Sequence, residues 1–356
     1  MSLRVQLAGQ TNMIRALFFS ISLALASLAG CKDKSTTRSP VSSVYSVTPE
    51  ARAIDAPASD MLASDMLASE TLAVDRLKRE VRFVAAPQRI ISLTPATTEL
   101  LFAIGAGSQI VGATKNCNYP PEAEKLTRVG GGTLESLSRE TIISLQPELV
   151  LCKWDNHQPL METLEQLKIQ SLAIGPENLE ELFVEAAMLG KVTGHAAEAD
   201  ELISQMKQRL ETLTSRVKLI PEAQQRKVFY EVWDDPLMTA GPGSFIGEVL
   251  RLAGMQNIFF DATTNYPKVS DEVVVARNPD VILSPSTHAS KVSIEKLLQR
   301  QGWGEVKAVK EKQVYIINGD HVSRCGPRLL DALEEIIRVA YPDHVAMTPT
   351  PKDAIP

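Results

Sequence analysis

Three aromatic side chains lie at the ends of apolar runs that are typical of strands. They are Trp154, Trp233 and Tyr266. Aromatic residues make up only 5% of the chain, so three at such positions exceed what core packing requires. Indole and phenol rings offer a large contact area with few rotatable bonds to fix, which suits them to ligand binding. For each ring taken alone, packing in the core is the alternative interpretation.

Two glutamates occupy equivalent places in a repeated pattern. Glu140 and Glu272 each stand two residues after a serine, in the sequences Ser-Arg-Glu and Ser-Asp-Glu. A serine before a helix caps its free N–H groups, and a carboxylate in the first turn is stabilised by the helix dipole. The pattern therefore predicts two helices that begin alike, each with an acid near its start.

The N-terminal segment carries a candidate for covalent modification. Arg4 and Arg15 precede an uncharged apolar run at 16–26, which is too short for the ~20 residues of a membrane span. The segment ends in Leu-Ala-Gly-Cys at Cys31, which resembles the lipobox of bacterial lipoproteins, where the cysteine is acylated. We expect residues 1–31 to be a signal peptide and lipobox of an exported protein. A buried amphipathic helix is the alternative.

The remaining cysteines offer weaker indications. Cys117, Cys152 and Cys325 are an odd number, so in an exported protein at least one thiol stays unpaired. A Cys117–Cys152 bridge and thiolate ligation of a metal are both open. The spacing of the cysteines matches no metal-binding pattern, so we expect no metal site.

Composition and motifs exclude several classes of function. Hydrophobic residues at 44% and charged residues at 22% are ordinary for a globular protein. A net charge of −6 argues against nucleic acid as a partner, because no basic excess is available to neutralise phosphates. The chain has no nucleophile elbow, phosphate loop or zinc-protease motif, and the three glycines at 130–132 lack the spacing of a dinucleotide fingerprint. We expect no catalytic residues and no enzymatic activity.

Residues 32–85 are predicted to be a disordered tether. They are rich in Ser, Thr, Ala and Pro and contain three five-residue repeats beginning at Ala58, Ala63 and Ala68. A five-residue period sustains no apolar helix or strand face. A partner-binding helix is the alternative.

From residue 86 onward, short apolar runs alternate with amphipathic helices, which predicts largely parallel sheets. Thr94 is expected to cap the first helix, with Glu99 in its first turn. One series of features occurs twice, at 100–120 and at 249–267: a helix, a glycine stop, an apolar run and Asn-Tyr-Pro. In both halves the Ser-x-Glu pattern follows it. The duplication predicts an α/β fold of two Rossmann-like lobes, at 86–195 and 226–345, with a tail at 346–356.

One long helix is predicted to join the lobes. Residues 196–220 contain no Gly or Pro and carry apolar residues three or four apart. At ~1.5 Å per residue such a helix spans both lobes and permits only small hinge motions. A helix confined to one lobe is the alternative.

Several motifs together resemble a known family. They lie at 90–101, 118–121, 129–132 and 326–328, together with the two Ser-x-Glu helices. This combination resembles the helical-backbone class of ABC importer substrate-binding proteins, over residues 88–340. Within that class, 234–241 and 266–272 resemble the cobalamin-binding periplasmic proteins.

The resemblance implies a function and a site. It implies a lipoprotein, held at the membrane only by its anchor and facing the periplasm or the cell exterior. This protein would capture a corrinoid between its lobes and deliver it to an importer permease and ATPase. The corrinoid would be cargo and not a cofactor, and we expect a monomer. Haem or a ferric siderophore is the alternative cargo, and an enzyme or an orphan surface lipoprotein is a further alternative. The implied ligand contacts are Asn116, Tyr119, Gly132, Trp154, Trp233, Met238, Tyr266, Asp320, His321, Val322, Ser323 and Arg324.

Some positions depart from the family pattern. Asn116 stands where the family has a tyrosine, and the glycines at 130–132 replace a tryptophan. Glycine permits close backbone approach but removes a stacking surface. His321 is expected to donate or accept hydrogen bonds, with metal ligation as the alternative.

In the family, acids matching Glu140 and Glu272 dock onto arginines of the permease. The resemblance therefore predicts that these two glutamates contact the transporter.

Overall fold

The computed structural model describes residues 70–287 and 293–342. All of these residues belong to one structural unit, Leu62–Pro356. The predicted signal peptide, Cys31, the tether up to residue 69 and the tail from residue 346 lie outside the described residues.

The described chain begins with a β-hairpin where the tether was expected to continue. Strands β1 (Thr71–Val74) and β2 (Glu80–Phe83) pair antiparallel, and Ala73 and Phe83 are buried on their inner face. At the turn, the buried carboxylate of Asp75 accepts hydrogen bonds from the Arg79 guanidinium and from the Ala173 N–H at 3.0 Å. The prediction of a tether reaching residue 85 is wrong for the hairpin, because alternating inward side chains give it a face to bury.

The first lobe is a five-stranded parallel sheet with helices on both faces. The strand order is β5-β4-β3-β6-β7. The strands are β3 (Ile90–Ser92), β4 (Ile110–Ala113), β5 (Thr127–Arg128), β6 (Leu149–Lys153) and β7 (Gln170–Ile174). The helices are α1 (Pro95–Ala103), α2 (Arg139–Ser144), α3 (Gln158–Gln166) and α4 (Leu179–Thr193).

Local signals explain where these helices begin and end. The Thr94 and Asn178 side chains accept hydrogen bonds from N–H groups in the first turns of α1 and α4. Gly105 after α1 and Gly194 after α4 adopt left-handed φ angles of 86° and 81°, which glycine tolerates best. Glu99 lies beyond the first turn of α1, so the expected dipole role does not account for it.

Helix α5 (Ala196–Val217) connects the lobes as predicted. Its 22 residues extend ~33 Å. One face buries Leu202, Met206 and Val217, and Arg209 bonds Asp331 and Glu334 of the last helix at 2.6 and 2.8 Å. The helix ends three residues before the predicted boundary at 220.

The second lobe repeats the topology of the first. Its parallel strands follow the order β10-β8-β11-β12, which matches β4-β3-β6-β7, and β9 pairs antiparallel with β8. The strands are β8 (Lys227–Asp234), β9 (Leu237–Thr239), β10 (Gln256–Asn257), β11 (Val281–Ser286) and β12 (Val314–Asn318). The helices are α6 (Phe245–Leu252), α7 (Asp271–Arg277), α8 (Ile294–Leu298), α9 (Lys307–Lys310), α10 (Gly319–Val322) and α11 (Leu329–Ala340). The predicted pair of similar α/β lobes is confirmed.

The apolar run at 257–260 is a strand only at its start. The Asn257 side-chain oxygen accepts the Phe259 N–H at 2.9 Å, which turns the chain, and Phe260 is 74% exposed.

A single apolar core passes from one lobe to the other. It joins side chains of α1, α4 and α5 to side chains of α6, α11 and β8, such as Leu101, Leu189, Leu250 and Leu333. Burying each large aliphatic side chain contributes ~1.5–3 kcal/mol. A separate cluster covers the other face of each sheet. We expect the shared core and α5 together to restrict the lobes to small relative motions.

Candidate functional site

The predicted contact residues gather beyond the carboxyl ends of the parallel strands. Asn116 and Tyr119 follow β4, and Trp154 follows β6. In the second lobe, Trp233 lies at the end of β8 and α10 follows β12. Because parallel strands end at the same edge of a sheet, each lobe presents these loops along one rim, where open α/β sheets bind ligands.

The two rims meet at a buried charged cluster. Glu99 of α1 is 3% exposed, and its carboxylate accepts hydrogen bonds from Arg324 at 2.6 Å and from Arg328 at 2.6 and 2.8 Å. Arg324 also donates to the Asn118 side chain and to Asp320, at 2.9 and 3.1 Å. The cluster therefore ties the loop after β4 to the loop after β12.

Two of the predicted ligand contacts, Val322 and Arg324, are buried inside the protein. Val322 is fully buried in the shared core. Arg324 is 9% exposed, and both terminal nitrogens of its guanidinium are engaged by Glu99, Asn116, Asn118 and Asp320. The prediction that these two side chains contact the ligand is not supported, because neither presents a free surface to the cleft.

Tyr119 stands beside the cluster, half-exposed. The guanidinium carbon of Arg328 lies 3.8 Å from the centroid of the Tyr119 ring, a close cation–π contact. This contact fixes the tilt of the ring at the edge of the cleft.

The glycine loop lies against Asn116. A Cβ atom on Gly132 would approach the Asn116 side-chain nitrogen to 3.1 Å, so glycine lets the two segments lie close together. Gly130 has φ 119°, and a Cβ there would meet the Ser136 carbonyl oxygen at 2.1 Å. Glycine is therefore required at position 130 for this loop to form.

Trp154 is held on two sides. A Cβ on Gly175 would lie 3.3 Å from the indole, and the Arg76 guanidinium lies 5.3 Å from the ring centroid. Arg76 is itself bonded to Glu177 at 2.6 Å and to Glu181. The hairpin thus orients a side chain of the cleft.

The second-lobe wall is formed by adjacent strands. Trp233 is the cross-strand partner of Met238, and Met238 in turn bridges to Lys268. Trp233 is 54% exposed, and its indole N–H donates to the Asp235 carbonyl at 2.8 Å. Tyr266 is 37% exposed. Partial burial of its ring, with smaller effects from Glu177 and Cys325, raises the pKa of Tyr266 to about 12, so its hydroxyl stays protonated.

Helix α10 carries the last predicted contacts. Asn318 caps it by accepting the N–H groups of Asp320 and His321 at 3.0 and 3.3 Å. Burial and the nearby Arg328 lower the pKa of His321, which favours the neutral imidazole at pH 7. Among residues 70–287 and 293–342, no group of three or more His, Cys, Asp or Glu side chains is arranged to hold a metal ion.

Comparison with known proteins decides the family. A family model described as periplasmic binding protein matches residues 90–320. The chain belongs to the periplasmic binding protein family. An uncharacterised ABC transporter substrate-binding lipoprotein of Bacillus subtilis is 33% identical over 274 residues, covering 76% of this chain and 85% of the relative. A vitamin B12-binding protein of Vibrio cholerae is 31% identical over 252 residues, covering 70% and 87%.

Solved structures of periplasmic binding proteins share the fold. The Vibrio cholerae periplasmic vitamin B12-binding protein aligns with a TM-score of 0.61 at 28% identity, covering 72% of this chain and 97% of that one. A possible iron-binding protein of Staphylococcus epidermidis aligns with a TM-score of 0.63 at 27% identity, covering 72% and 100%. This periplasmic binding protein is a substrate-binding protein of the ABC importer type and not an enzyme.

The two predicted docking acids are equivalent and exposed in this periplasmic binding protein. Glu140 lies in the first turn of α2, which leads into β6, and Glu272 lies in the first turn of α7, which leads into the equivalent strand β11. A hydrogen bond from Ser270 lowers the pKa of Glu272. A surface pocket of about 600 Å³, which includes Ser270 and Val273 in its lining, opens beside Glu272.

The three cysteines within the described chain are free and buried, so no bridge joins Cys117 to Cys152. Burial raises the pKa of Cys152 to about 12 and that of Cys325 above its ordinary range.

No helix in the described part of this periplasmic binding protein is long and apolar enough to cross a membrane.

Sequence reasoning missed four side chains of the site. Arg76 was hidden in the predicted tether, and no local pattern pointed to Glu177. Glu99 was assigned to the helix dipole, and Arg328 was recognised only as part of a motif. The available signal was the presence of Glu99 as the one charged residue of α1, and of Arg324 and Arg328 on either side of Cys-Gly-Pro.

Proposed function

We propose that this protein captures a corrinoid in the cleft between its lobes and delivers it to an ABC importer. The observation that carries the proposal is the set of aromatic side chains at the rims of both lobes. Tyr119 and Trp154 come from the first lobe, and Trp233 and Tyr266 from the second. The relatives from Vibrio cholerae and Pectobacterium carotovorum, 31% and 30% identical, are named vitamin B12-binding proteins.

The chemistry of the cleft suits a corrin ring with amide substituents. Half-exposed aromatic rings offer faces for a wide, flat macrocycle. Asn116, Asp320 and Ser323 offer acceptors and donors for uncharged amides. Haem presents carboxylates instead, and two cations beside the aromatic rings, Arg76 and Arg328, are already engaged by glutamates. In this proposal the corrinoid is cargo, and the protein needs no cofactor.

Haem or a ferric siderophore is the second candidate cargo. The Staphylococcus epidermidis neighbour of similar fold is described as a possible iron-binding protein. His321 is the side chain that would contact iron in that case.

Spectroscopic titration separates these ligands. The chain carrying Cys31→Ser is purified without lipid and mixed in turn with cyanocobalamin, cobinamide, haem and a ferric siderophore. We expect one equivalent of a corrinoid to co-elute with the protein in gel filtration and to bring its visible spectrum. Trp233→Ala should weaken binding, whereas Trp303→Phe, which alters a fully buried ring of the second lobe, should not. Co-elution of haem alone would refute the corrinoid assignment, and failure of all four would refute capture of this class of solute.

We further propose that Glu140 and Glu272 dock the loaded protein onto cationic side chains of the permease. Both are exposed, one per lobe, as a two-fold-related partner requires. Glu295 provides a matched control, because it also stands two residues after a helix-capping serine and Ser293 likewise lowers its pKa. The double variant Glu140→Arg/Glu272→Arg should abolish uptake while leaving corrinoid affinity intact. Glu295→Arg should retain both, and lost affinity with intact uptake would refute docking.

Export and anchoring at Cys31 complete the proposal. Mass spectrometry of the membrane-extracted protein should show an acylated N-terminal cysteine at position 31, and Cys31→Ser should abolish acylation. We propose that the protein acts as a monomer held at the membrane by this lipid alone, facing the periplasm or the cell exterior. An unmodified Met1 or Met13 at the N-terminus of the mature protein would refute the anchor.

A further inference from the structure

One buried carboxylate makes the charged contacts between the two rims. Glu99 belongs to the first lobe, and its partners Arg324 and Arg328 lie 225 and 229 positions further along the chain, in the second lobe. All three are buried or nearly so: taken without the backbone, their side chains are 2%, 9% and 12% exposed. Charges at this depth remain stable only when they are paired and hydrogen-bonded, so the geometry of the cluster is fixed by Glu99.

Each arginine extends the influence of Glu99 to a cleft residue. Arg324 donates to the Asn116 carbonyl at 3.3 Å and to the Asn118 side chain at 2.9 Å. Arg328 stacks on Tyr119. Without Glu99, neither guanidinium would have a charged partner in the first lobe, and both would be held less firmly against the loop at 116–119.

We propose that Glu99 is a positioning residue for the solute site: it fixes the separation of the two rims and the orientation of Tyr119. This inference rests on the proposed capture of a solute in the cleft. Glu99 does not itself contact the solute. It acts through Arg324 and Arg328, which hold the loop after β4 against the loop after β12.

A second buried ion pair serves as the matched control. Glu231 is also 3% exposed, and both of its carboxylate oxygens are bonded by Arg300, with one distance of 3.0 Å. Both residues of this pair belong to the second lobe. Glu231→Gln therefore removes the same charge at the same depth without touching the contact between the lobes.

The separation of the lobes is measured without ligand. Spin labels are attached to Glu162→Cys on α3 and Ala276→Cys on α7, both exposed, in the chain carrying Cys31→Ser. The native cysteines of the described chain are buried and do not compete for the label. We expect Glu99→Gln to broaden the distance distribution and lengthen its mean, and Glu231→Gln to leave it as in the parent.

Cyanocobalamin affinity is measured in the same variants without spin labels. Glu99→Gln should weaken binding about tenfold to a hundredfold, the range of one hydrogen bond to a charged group. If the parent fails to bind cyanocobalamin, the proposed cargo fails, but the label distances still test Glu99. An unchanged distribution in Glu99→Gln, or equal broadening in Glu231→Gln, overturns the inference.

A third variant covers the case in which Glu99→Gln does not fold. Arg328→Lys keeps the positive charge but loses the planar fork that bonds both oxygens of Glu99 and covers Tyr119. It should broaden the distribution, and an unchanged distribution in this variant overturns the inference.

Discussion

Replacing the buried Glu185 by glutamine should make the protein more stable above neutral pH. Glu185 lies on α4 and is 8% exposed. One of its oxygens accepts the Gly175 N–H at 2.8 Å, and the other lies 3.3 Å from the Thr97 hydroxyl. Burial raises the pKa of this carboxyl from 4.5 to about 7, because two weak neutral donors do not replace the lost hydration of the anion.

The magnitude follows from proton linkage. Between pH 4.5 and about 7 the folded protein holds the Glu185 proton while the unfolded chain releases it, so stability falls as pH rises through this window. Each pKa unit corresponds to about 1.4 kcal/mol, so the loss at pH 8 approaches about 3 kcal/mol. Glutamine is uncharged at every pH and keeps an acceptor for Gly175.

Urea unfolding followed by tryptophan fluorescence tests this at pH 5, 6, 7 and 8. We expect Glu185→Gln to exceed the parent by about 2–3 kcal/mol at pH 8, with the gain shrinking toward pH 5. Glu165→Gln, which removes an exposed charge from the same lobe, should keep the slope of the parent. If Glu185→Gln and the parent show the same pH slope, the carboxyl is not protonated in the fold and the reasoning is wrong.

Three further predictions concern the fold and its thiols. Gly130→Ala should cost more than about 1 kcal/mol in unfolding free energy, since its Cβ would overlap the Ser136 carbonyl; Gly304→Ala, whose Cβ meets nothing within 4 Å, should cost less in the same denaturation assay. Asp75→Ala should cost about 1–3 kcal/mol by the same measurement, because it leaves the buried Ala173 N–H without its acceptor and the half-exposed Arg79 without its partner, and a loss below about 0.5 kcal/mol would contradict the hairpin contacts. The thiols of Cys117, Cys152 and Cys325 should react with a disulfide reagent only in denaturant, giving three equivalents in the Cys31→Ser chain; fast reaction of the native protein would contradict their burial.

The lobes and their connection could be predicted from the sequence because their signals are local and duplicated. Glycine stops, serine caps and apolar runs recur in the same order, and the absence of Gly and Pro marks α5. The repetition indicated that the two lobes share a topology, whereas the strand order β4-β3-β6-β7 itself is known only from the structure.

The contacts between the lobes could not be predicted, because their partners are distant in sequence. Glu99 follows a helix cap and resembles an ordinary helical acid, yet its function depends on arginines more than 220 positions away. The hairpin at 71–83 was missed for a different reason. Its four-residue strands gain stability from burying Ala73 and Phe83 against the first lobe, which no local pattern records.

The hairpin also covers an edge of the first-lobe sheet. The outer edge of β7 would otherwise offer unpaired backbone groups. The Ala173 carbonyl accepts the Arg76 N–H, and the Ala173 N–H donates to Asp75. The side chains of Arg79 and Gln170 make further hydrogen bonds across the same edge. An open edge strand is a template for strand addition between molecules. Removing residues 70–84 should therefore expose a surface prone to aggregation, a hazard that grows wherever copies are crowded together.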